Sequence, residues 1–395
     1  MPYESLELKK LQASYMGSDK RRRPIKVLQV VNAMERAGLE TWLMYVLRNI
    51  DREQFQIDFL VSVPVSGHYD NEIRQLGGRV LPCLYPKHPW IFGSAFKRIL
   101  HQYGPYDVVH SHIHHYSGYI LCLAKQANVP VRIAHSHVDS SWQESKAGIL
   151  RQLYLDLMKS WIHRYATAGL GCSREAATDL FGSGWETDPR WQIIYYGIDL
   201  SPFQTSVDRA AVRKELGIPE TSFVLGHVGR FFEQKNHRFL IAIFEEVTRR
   251  IPDTYLLLVG DGTLKPEIEQ LVRQIGLVDR VIFTGSRSDV PTLMRGAMDA
   301  FIMPSFYEGL PVSAIEAQAA NLPLILSDSI SQETDYIKPL IQRVKLTQSL
   351  SDWVDSVEKV YKDLEFKRTQ STTLENSPFN IINSINKLEA IYATQ

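Results

Sequence analysis

Two carboxylates stand eight positions apart in the run Tyr307-Glu308-Gly309-Leu310-Pro311-Val312-Ser313-Ala314-Ile315-Glu316, just after the apolar stretch Ala300 to Met303. Pro311 suits the first turn of a helix, where a missing N–H costs nothing. Glu308 then falls in the loop before the helix, and Glu316 lies about a turn and a half inside it. At the carboxyl ends of parallel strands, where open α/β folds bind ligands, both acids can accept hydrogen bonds from sugar hydroxyls. A single Glu at a helix start is ordinarily a solvated residue favoured by the helix dipole. The pair reads differently because of a second group upstream.

That group follows the apolar strand Val224 to Val228: Gly229, then Arg230 and Lys235 on the exit loop, with Asn236 and His237 after them. Glycine lets a backbone approach a ligand closely. A guanidinium can fork onto phosphate oxygens, and an ammonium adds a compact positive charge. Two cations with the free N–H groups of a helix start make a diphosphate site. Surface cations on a loop are the commoner fate of Arg and Lys, but the glutamates downstream favour a nucleotide-sugar site.

The segments "GHVGRFFEQKN", "LLLVGDG", "VIFTGSRSDV" and "FYEGLPVSAIEAQAANLPLILSD" resemble retaining GT-B glycosyltransferases. They are most similar to the group-1 family of bacterial sugar transferases with its Glu-x7-Glu signature, and within it to transferases of capsular or exopolysaccharide assembly. The resemblance spans roughly residues 25–330. It implies an α/β GT-B fold: two Rossmann-like domains facing a cleft, with a C-terminal helix crossing back to the first domain. It also implies transfer of a sugar from a nucleotide diphosphate sugar to a hydroxyl of a saccharide or lipid-linked acceptor, with retention at the anomeric carbon.

On this resemblance Arg230 and Lys235 hold the departing diphosphate, with Gly229 beside them, and Glu316 takes the ribose hydroxyls. Glu308 takes the sugar hydroxyls, flanked by Gly309 and Leu310. Ser286 and Arg287 line the nucleobase pocket. A histidine just after the strand Val131 to Ala134 contacts the transferred sugar. His137 is the first candidate and His135 the second, with Asp139 nearby to orient the acceptor or a ring tautomer. Gly38 offers an N–H to the diphosphate from the first loop, where the family's usual two glycines are here Ala37 and Gly38. No Asp-x-Asp motif is present to hold a metal on the diphosphate. No metal or other cofactor is therefore expected, and the two cations would serve as the electrostatic clamp. A sugar-nucleotide epimerase and a non-catalytic nucleotide-sugar binding protein remain alternatives. A double-displacement glycosidase would leave Arg230 and Lys235 without a role.

His110, His112, His114 and His115 form one histidine cluster, and His135 with His137 a second. No carboxylate or cysteine completes either at a familiar metal-binding spacing. His114 and His115 fit as strand-end caps. Gly260-Asp261-Gly262 lacks the third glycine of a dinucleotide fingerprint.

The elements that must position these residues alternate strand and helix. Ile25 to Val31, Phe55 to Val61, Arg79 to Pro82, Val108-Val109, Val131 to Ala134, Gly169 to Cys172 and Gln192 to Tyr195 read as strands of one parallel sheet. Strands from Phe223, Tyr255, Arg280, Ala300 and Leu324 read as a second. Beyond Ile330 the pattern weakens until an apolar helix from Phe379 to Tyr392. The expected division is a basic leader at 1–23, an acceptor-side domain at 24–203, a donor-side domain at 204–375 and a terminal helix at 376–395.

With 44 Lys+Arg against 44 Asp+Glu, the chain carries no bulk positive charge for nucleic acid. Cys83, Cys122 and Cys172 show no ligand spacing. No run reaches the roughly 18 apolar residues a spanning helix needs. A cytoplasmic protein is expected, with peripheral membrane association in question. The helix Leu150 to Tyr165 aligns Leu153, Leu157, Trp161 and Tyr165 beside Lys146, Arg151, Lys159, His163 and Arg164. That row is expected chiefly to pack on the sheet, with a bilayer interface as the other reading.

Overall fold

The computed structural model describes residues 23–64, 66–84, 86–137, 148–363 and 374–394. Asp139, Lys146 and nearly all of the basic leader lie outside them. Two all-parallel sheets form, as the apolar runs require. β1 (Ile25–Val31) is buried at every position but one, as a strand covered on both faces must be. The first sheet adds β2 (Phe55–Val61), β3 (Val80–Pro82), β4 (Val108–Ser111), β5 (Val131–Ser136), β6 (Ala168–Gly171) and β7 (Trp191–Ile193), in the order β3-β2-β1-β4-β5-β6-β7. The second holds β8 (Phe223–Val228), β9 (Thr254–Val259), β10 (Val281–Gly285), β11 (Ala300–Met303), β12 (Leu324–Ser327) and β13 (Ile341–Val344), in the order β10-β9-β8-β11-β12-β13.

Each order reverses once, between β1 and β4 and between β8 and β11. Loops leaving those four strands therefore diverge and open a crevice at the carboxyl ends. The exits of β1, β4, β8 and β11 lead to Gly38, to the histidines, to Arg230 and Lys235, and to Glu308. The two crevices face each other: the Tyr45 hydroxyl on the first-domain helix Gly38–Asn49 donates to Glu316 Oε1 on the second-domain helix Val312–Ala319, at 3.0 Å. The terminal helix Ile381–Ala393 returns to the first domain. It is tied by Ile381 N–H to Ile198 O at 3.0 Å, and Gln29 Nε2 donates to the Tyr392 hydroxyl at 2.9 Å.

Three elements depart from expectation. β13 and the helix Leu350–Lys362 lie in the stretch beyond Ile330, where the sequence pattern weakens. β13 is four residues of mixed polarity at a sheet edge and carries no periodicity. The helix did carry a signal, because Ser349 and Asp352 form a capping box ahead of buried Trp353, Val354, Val357 and Val360. The third is the helix Ile149–Tyr165, which buries Leu155, Met158 and Ile162. Leu153 and Leu157 remain 61% and 47% exposed, so the row expected to pack faces outward at those positions. The cause is a close helix crossing: a Cβ on Gly118 would sit 2.4 Å from Met158 O, which fixes the Met158 side inward.

Candidate functional site

The loop after β8 runs through a 3-10 turn, Glu233–Lys235, and ends at Asn236 in the left-handed region (φ 56°). Asn236 Nδ2 donates to Pro304 O at 3.1 Å, which anchors the loop to the exit of β11. This brings Lys235 Nζ to 2.6 Å from Glu308 Oε1, while Gln234 Nε2 donates to Glu308 Oε2 at 3.1 Å and to Tyr307 O at 2.9 Å. The cation expected on phosphate and the acid expected on sugar are thus one assembly. An ammonium has three donors, so Lys235 keeps hydrogens for an incoming anion. Arg230 is exposed at the loop's outer edge, its guanidinium 4.8 Å from the Phe232 ring centroid.

Gly260, at φ 140°, permits that loop to be there. A Cβ on it would lie 2.1 Å from Gly229 O, so the glycines after β9 serve loop packing. Gly309 does the same between domains, where its Cβ would meet His137 O at 2.4 Å.

Glu316 is 6% exposed, and burial pushes its carboxyl up to about 7 against the opposing Tyr45 hydroxyl. Opposite, Gly38 opens the helix Gly38–Asn49 behind Ala37, which gives no side-chain cap. The first N–H groups of a helix have no intrahelical partner; the Glu40 carboxyl takes its own, which leaves those of Gly38 and Leu39 for a ligand. Glu40 sits in this first turn, its carboxyl also pushed up to about 7 by burial, against its own N–H and the charge of Arg230. Neither Glu40 nor Tyr45 was singled out from the sequence, although an acid in a helix's first turn is a readable signal. Arg36 was missed as well: it reaches across the cleft, Nη1 to Ser286 O at 3.5 Å. The Arg287 guanidinium is engaged by Asp289 at 2.6 Å and Glu215 at 3.2 Å, both in its own domain.

The histidines divide between the strands and the cleft. His110 and His135 lie within β4 and β5 and are wholly enclosed. His135 Nδ1 is 3.1 Å from His110 Nε2, so its ring stays within the first domain. His137 is partly exposed at the cleft, but Tyr196 Oη lies 2.6 Å from its Nδ1 and His112 Nδ1 lies 2.8 Å from its Nε2. Burial first, and neighbouring histidines second, hold all four rings well below the usual imidazole range, so they are neutral. Asp179 comes to 3.1 Å from His114 Nε2, supplying the carboxylate that sequence spacing did not show. Among the described residues, His110/His112/His135 and His114/His115/Asp179 are each close enough to share a cation.

Residues 208–373 match the family described as glycosyl transferases group 1, and residues 36–202 match glycosyltransferase family 4. A protein named glycosyltransferase EpsF, from Bacillus subtilis, is 37% identical over 337 residues, covering 84% of this chain and 86% of that protein. The chain belongs to the group 1 glycosyltransferases. An Escherichia coli relative of this glycosyltransferase, a UDP-Gal:alpha-D-GlcNAc-diphosphoundecaprenol alpha-1,3-galactosyltransferase, is 23% identical over 93% of this chain and 95% of its own. The crystal structure of Anabaena HepE with UDP and glucose superposes with a TM-score of 0.77 at 18% identity, over 94% of this chain and all of that one. It shares the fold with this glycosyltransferase. No helix among the described residues is long and apolar enough to cross a membrane.

Proposed function

We propose that this glycosyltransferase moves a sugar from a nucleoside diphosphate sugar to a hydroxyl of a saccharide or lipid-linked acceptor in polysaccharide assembly, with retention and without a divalent metal. The observation that carries the donor reading is the Lys235–Glu308 assembly at one switch point, with Arg230 outside it and the uncapped Gly38 helix start across the cleft. As the glycosidic bond breaks, negative charge gathers on the departing diphosphate. Fixed cations and N–H dipoles there stabilise the transition state more than the ground state. Glu316 takes the ribose hydroxyls, and Glu308, held by Lys235 and Gln234, presents its remaining lone pairs to the sugar. Both Glu308 oxygens are already bound by donors, which disfavours a free carboxylate nucleophile and with it the glycosidase reading. His137 borders the sugar from the acceptor side, whereas His135 acts only through its neighbours.

The relatives' names support the acceptor class, as the Escherichia coli enzyme's name includes a diphosphoundecaprenol acceptor. The apolar row Ile149, Leu150, Leu153 and Leu157, exposed from 47% to 85%, supports a weak peripheral membrane contact. Incubating the protein with labelled nucleoside diphosphate sugars and a lipid-linked saccharide, with and without excess EDTA, tests the reading. A glycosylated product with the donor's anomeric configuration is expected. Epimerised donor without product would favour the epimerase, no turnover with any donor would leave a binding protein, and loss of activity to EDTA would overturn metal independence.

A further inference from the structure

The buried histidines form one unbranched hydrogen-bonded chain that joins the terminal helix to the cleft. Its spacings are Tyr196 Oη to His137 Nδ1 2.6 Å, His137 Nε2 to His112 Nδ1 2.8 Å, and His112 Nε2 to Gln29 Oε1 2.7 Å. It continues from Gln29 Nε2 to Tyr392 Oη at 2.9 Å, from Tyr392 Oη to His110 Nδ1 at 2.9 Å, and from His110 Nε2 to His135 Nδ1 at 3.1 Å. A neutral imidazole has one N–H and one bare nitrogen, so the donors cannot be chosen independently. Gln29 accepts at Oε1, so His112 donates from Nε2 and accepts at Nδ1. His137 then donates from Nε2 and accepts from the Tyr196 hydroxyl. On the other side Gln29 donates to Tyr392, whose hydroxyl donates to His110 Nδ1, and His110 donates from Nε2 to His135. The chain ends at His135 Nε2, which is buried without a hydrogen-bond partner beside Trp42, ring centroids 5.4 Å apart. Turning the Gln29 amide over would reverse every donor.

The two orders share one property: each puts the proton on the same nitrogen of the His110, His112 and His137 rings, all Nε2 or all Nδ1. At the cleft end the Cys172 thiol lies against the backbone N–H of Leu310, from the second domain, and against Tyr196. We propose that Tyr392, Gln29, His110 and His112 are positioning residues. Through this chain they fix the ring tautomer of His137 and link it to the seating of Leu310 on Cys172 when the domains close.

The consequence for turnover rests on the reading of the cleft above, whereas the tautomers can be measured without substrate. The groups facing the chain are Glu40 and Trp42 from the helix Gly38–Asn49, His114 after β4, Cys172 after β6, and Phe55 from β2 against Tyr392. Long-range 15N–1H correlation spectra of the full chain with 15N-labelled histidine read the ring nitrogens directly. Near neutral pH, His110, His112 and His137 should each hold a single tautomer, and the same one in all three rings. Tyr392→Phe and Gln29→Met should leave His137 in mixed tautomers, with kcat down about ten- to hundredfold, as for a misaligned catalytic group, and donor KM nearly unchanged. Mixed tautomers, or different tautomers among the three rings, in the wild-type protein overturn the proposal, and this readout does not depend on either variant folding. An unchanged His137 tautomer in both folded variants overturns it as well. So does metal-shifted nitrogen resonance at His110, His112 and His135 that EDTA abolishes, which would make the cluster a cation site. Correct tautomers without glycosyl transfer would instead count against the function proposed above.

Discussion

Arg230 and Lys235 occupy one loop but different settings, and their substitutions should differ. Lys235→Ala strips Glu308 of its partner at 2.6 Å and, on the proposed reading, removes a phosphate contact as well. Arg230→Ala removes only an exposed guanidinium. Each lost charge-assisted contact is worth about 1.5–3 kcal/mol. Titration calorimetry with a nucleoside diphosphate should show both variants weakened. Sugar transfer should fall further in Lys235→Ala, and wild-type binding in both would mean the diphosphate lies elsewhere. Glu316 gives a pH signature. Its carboxyl is pushed up to about 7 by burial, so it is mostly protonated at pH 6 and ionised at pH 8. If the carboxylate accepts the ribose hydroxyls, nucleotide affinity should rise about tenfold over that span, the ratio a pKa of about 7 sets. Glu316→Gln should remove this increment while leaving whatever the phosphate itself contributes. Equal slopes in the two proteins would take Glu316 out of the site. The Glu-x7-Glu spacing and the two cations were legible because each lies in one short segment whose strand–turn–helix pattern fixes its geometry. Tyr45, which contacts Glu316 across 271 residues of sequence, carried no such local mark.

At the scale of elements, the Glu308–Gly309 loop of the second domain meets the exit of β5 of the first. A Cβ on Gly309 would lie 2.4 Å from His137 O, against backbone that cannot swing aside. Gly309→Ala should therefore hold the cleft slightly open. Rapid-quench and equilibrium measurements should show kcat reduced by about tenfold or more and nucleotide affinity nearly intact. A wild-type kcat would mean that closure at this contact is not needed. The helix Ile149–Tyr165 makes a second element-scale prediction. Its exposed row, Ile149 to Leu157, lies beside exposed Arg151. An apolar face flanked by cations binds anionic interfaces in a salt-dependent way. Leu153→Glu/Leu157→Glu should abolish co-sedimentation with anionic vesicles at low salt and leave turnover on a water-soluble acceptor unchanged. Absence of wild-type binding under those conditions would remove the membrane contact. The sequence offered apolar residues on two sides of this helix, and nothing in its periodicity chose between them. The choice came from Gly118, which lets a neighbouring helix approach at Met158.

For the whole molecule, acid stability follows from the enclosed imidazoles. Burial holds His110, His112, His135 and His137 well below 6.5, His227 at about 4 and His237 at about 2. A depressed histidine contributes stability that is complete above its unfolded pKa, near 6.5, and is lost as pH falls toward its folded pKa. Each can remove up to about 1.4 kcal/mol per pH unit in that window. Glu40 and Glu316, pushed up to about 7, act with the opposite sign: their contribution is complete below 4.5 and is lost as pH rises through 7. Six groups outweigh two, so denaturant midpoints should drop steeply between pH 6.5 and 4.5. A flat profile would mean that the imidazoles are solvated and the chain through Gln29 is not formed.

What the sequence by itself determined is whatever is repeated or local. The alternation of apolar strands with amphipathic helices specifies two parallel sheets, because a strand buried on both faces must be apolar throughout. The glutamate pair and the Arg230/Lys235 loop follow from that frame, as does the terminal helix. The tertiary structure alone decided which histidine meets the cleft, that Arg287 is engaged within its own domain, that Asp179 joins His114, and that Tyr392 reaches Gln29. The reason is common to all four. Hydrogen bonds between side chains depend on the angle and depth at which elements pack, and those are set by close approaches such as Gly118 on Met158 and Gly309 on His137. A linear spacing carries no trace of them.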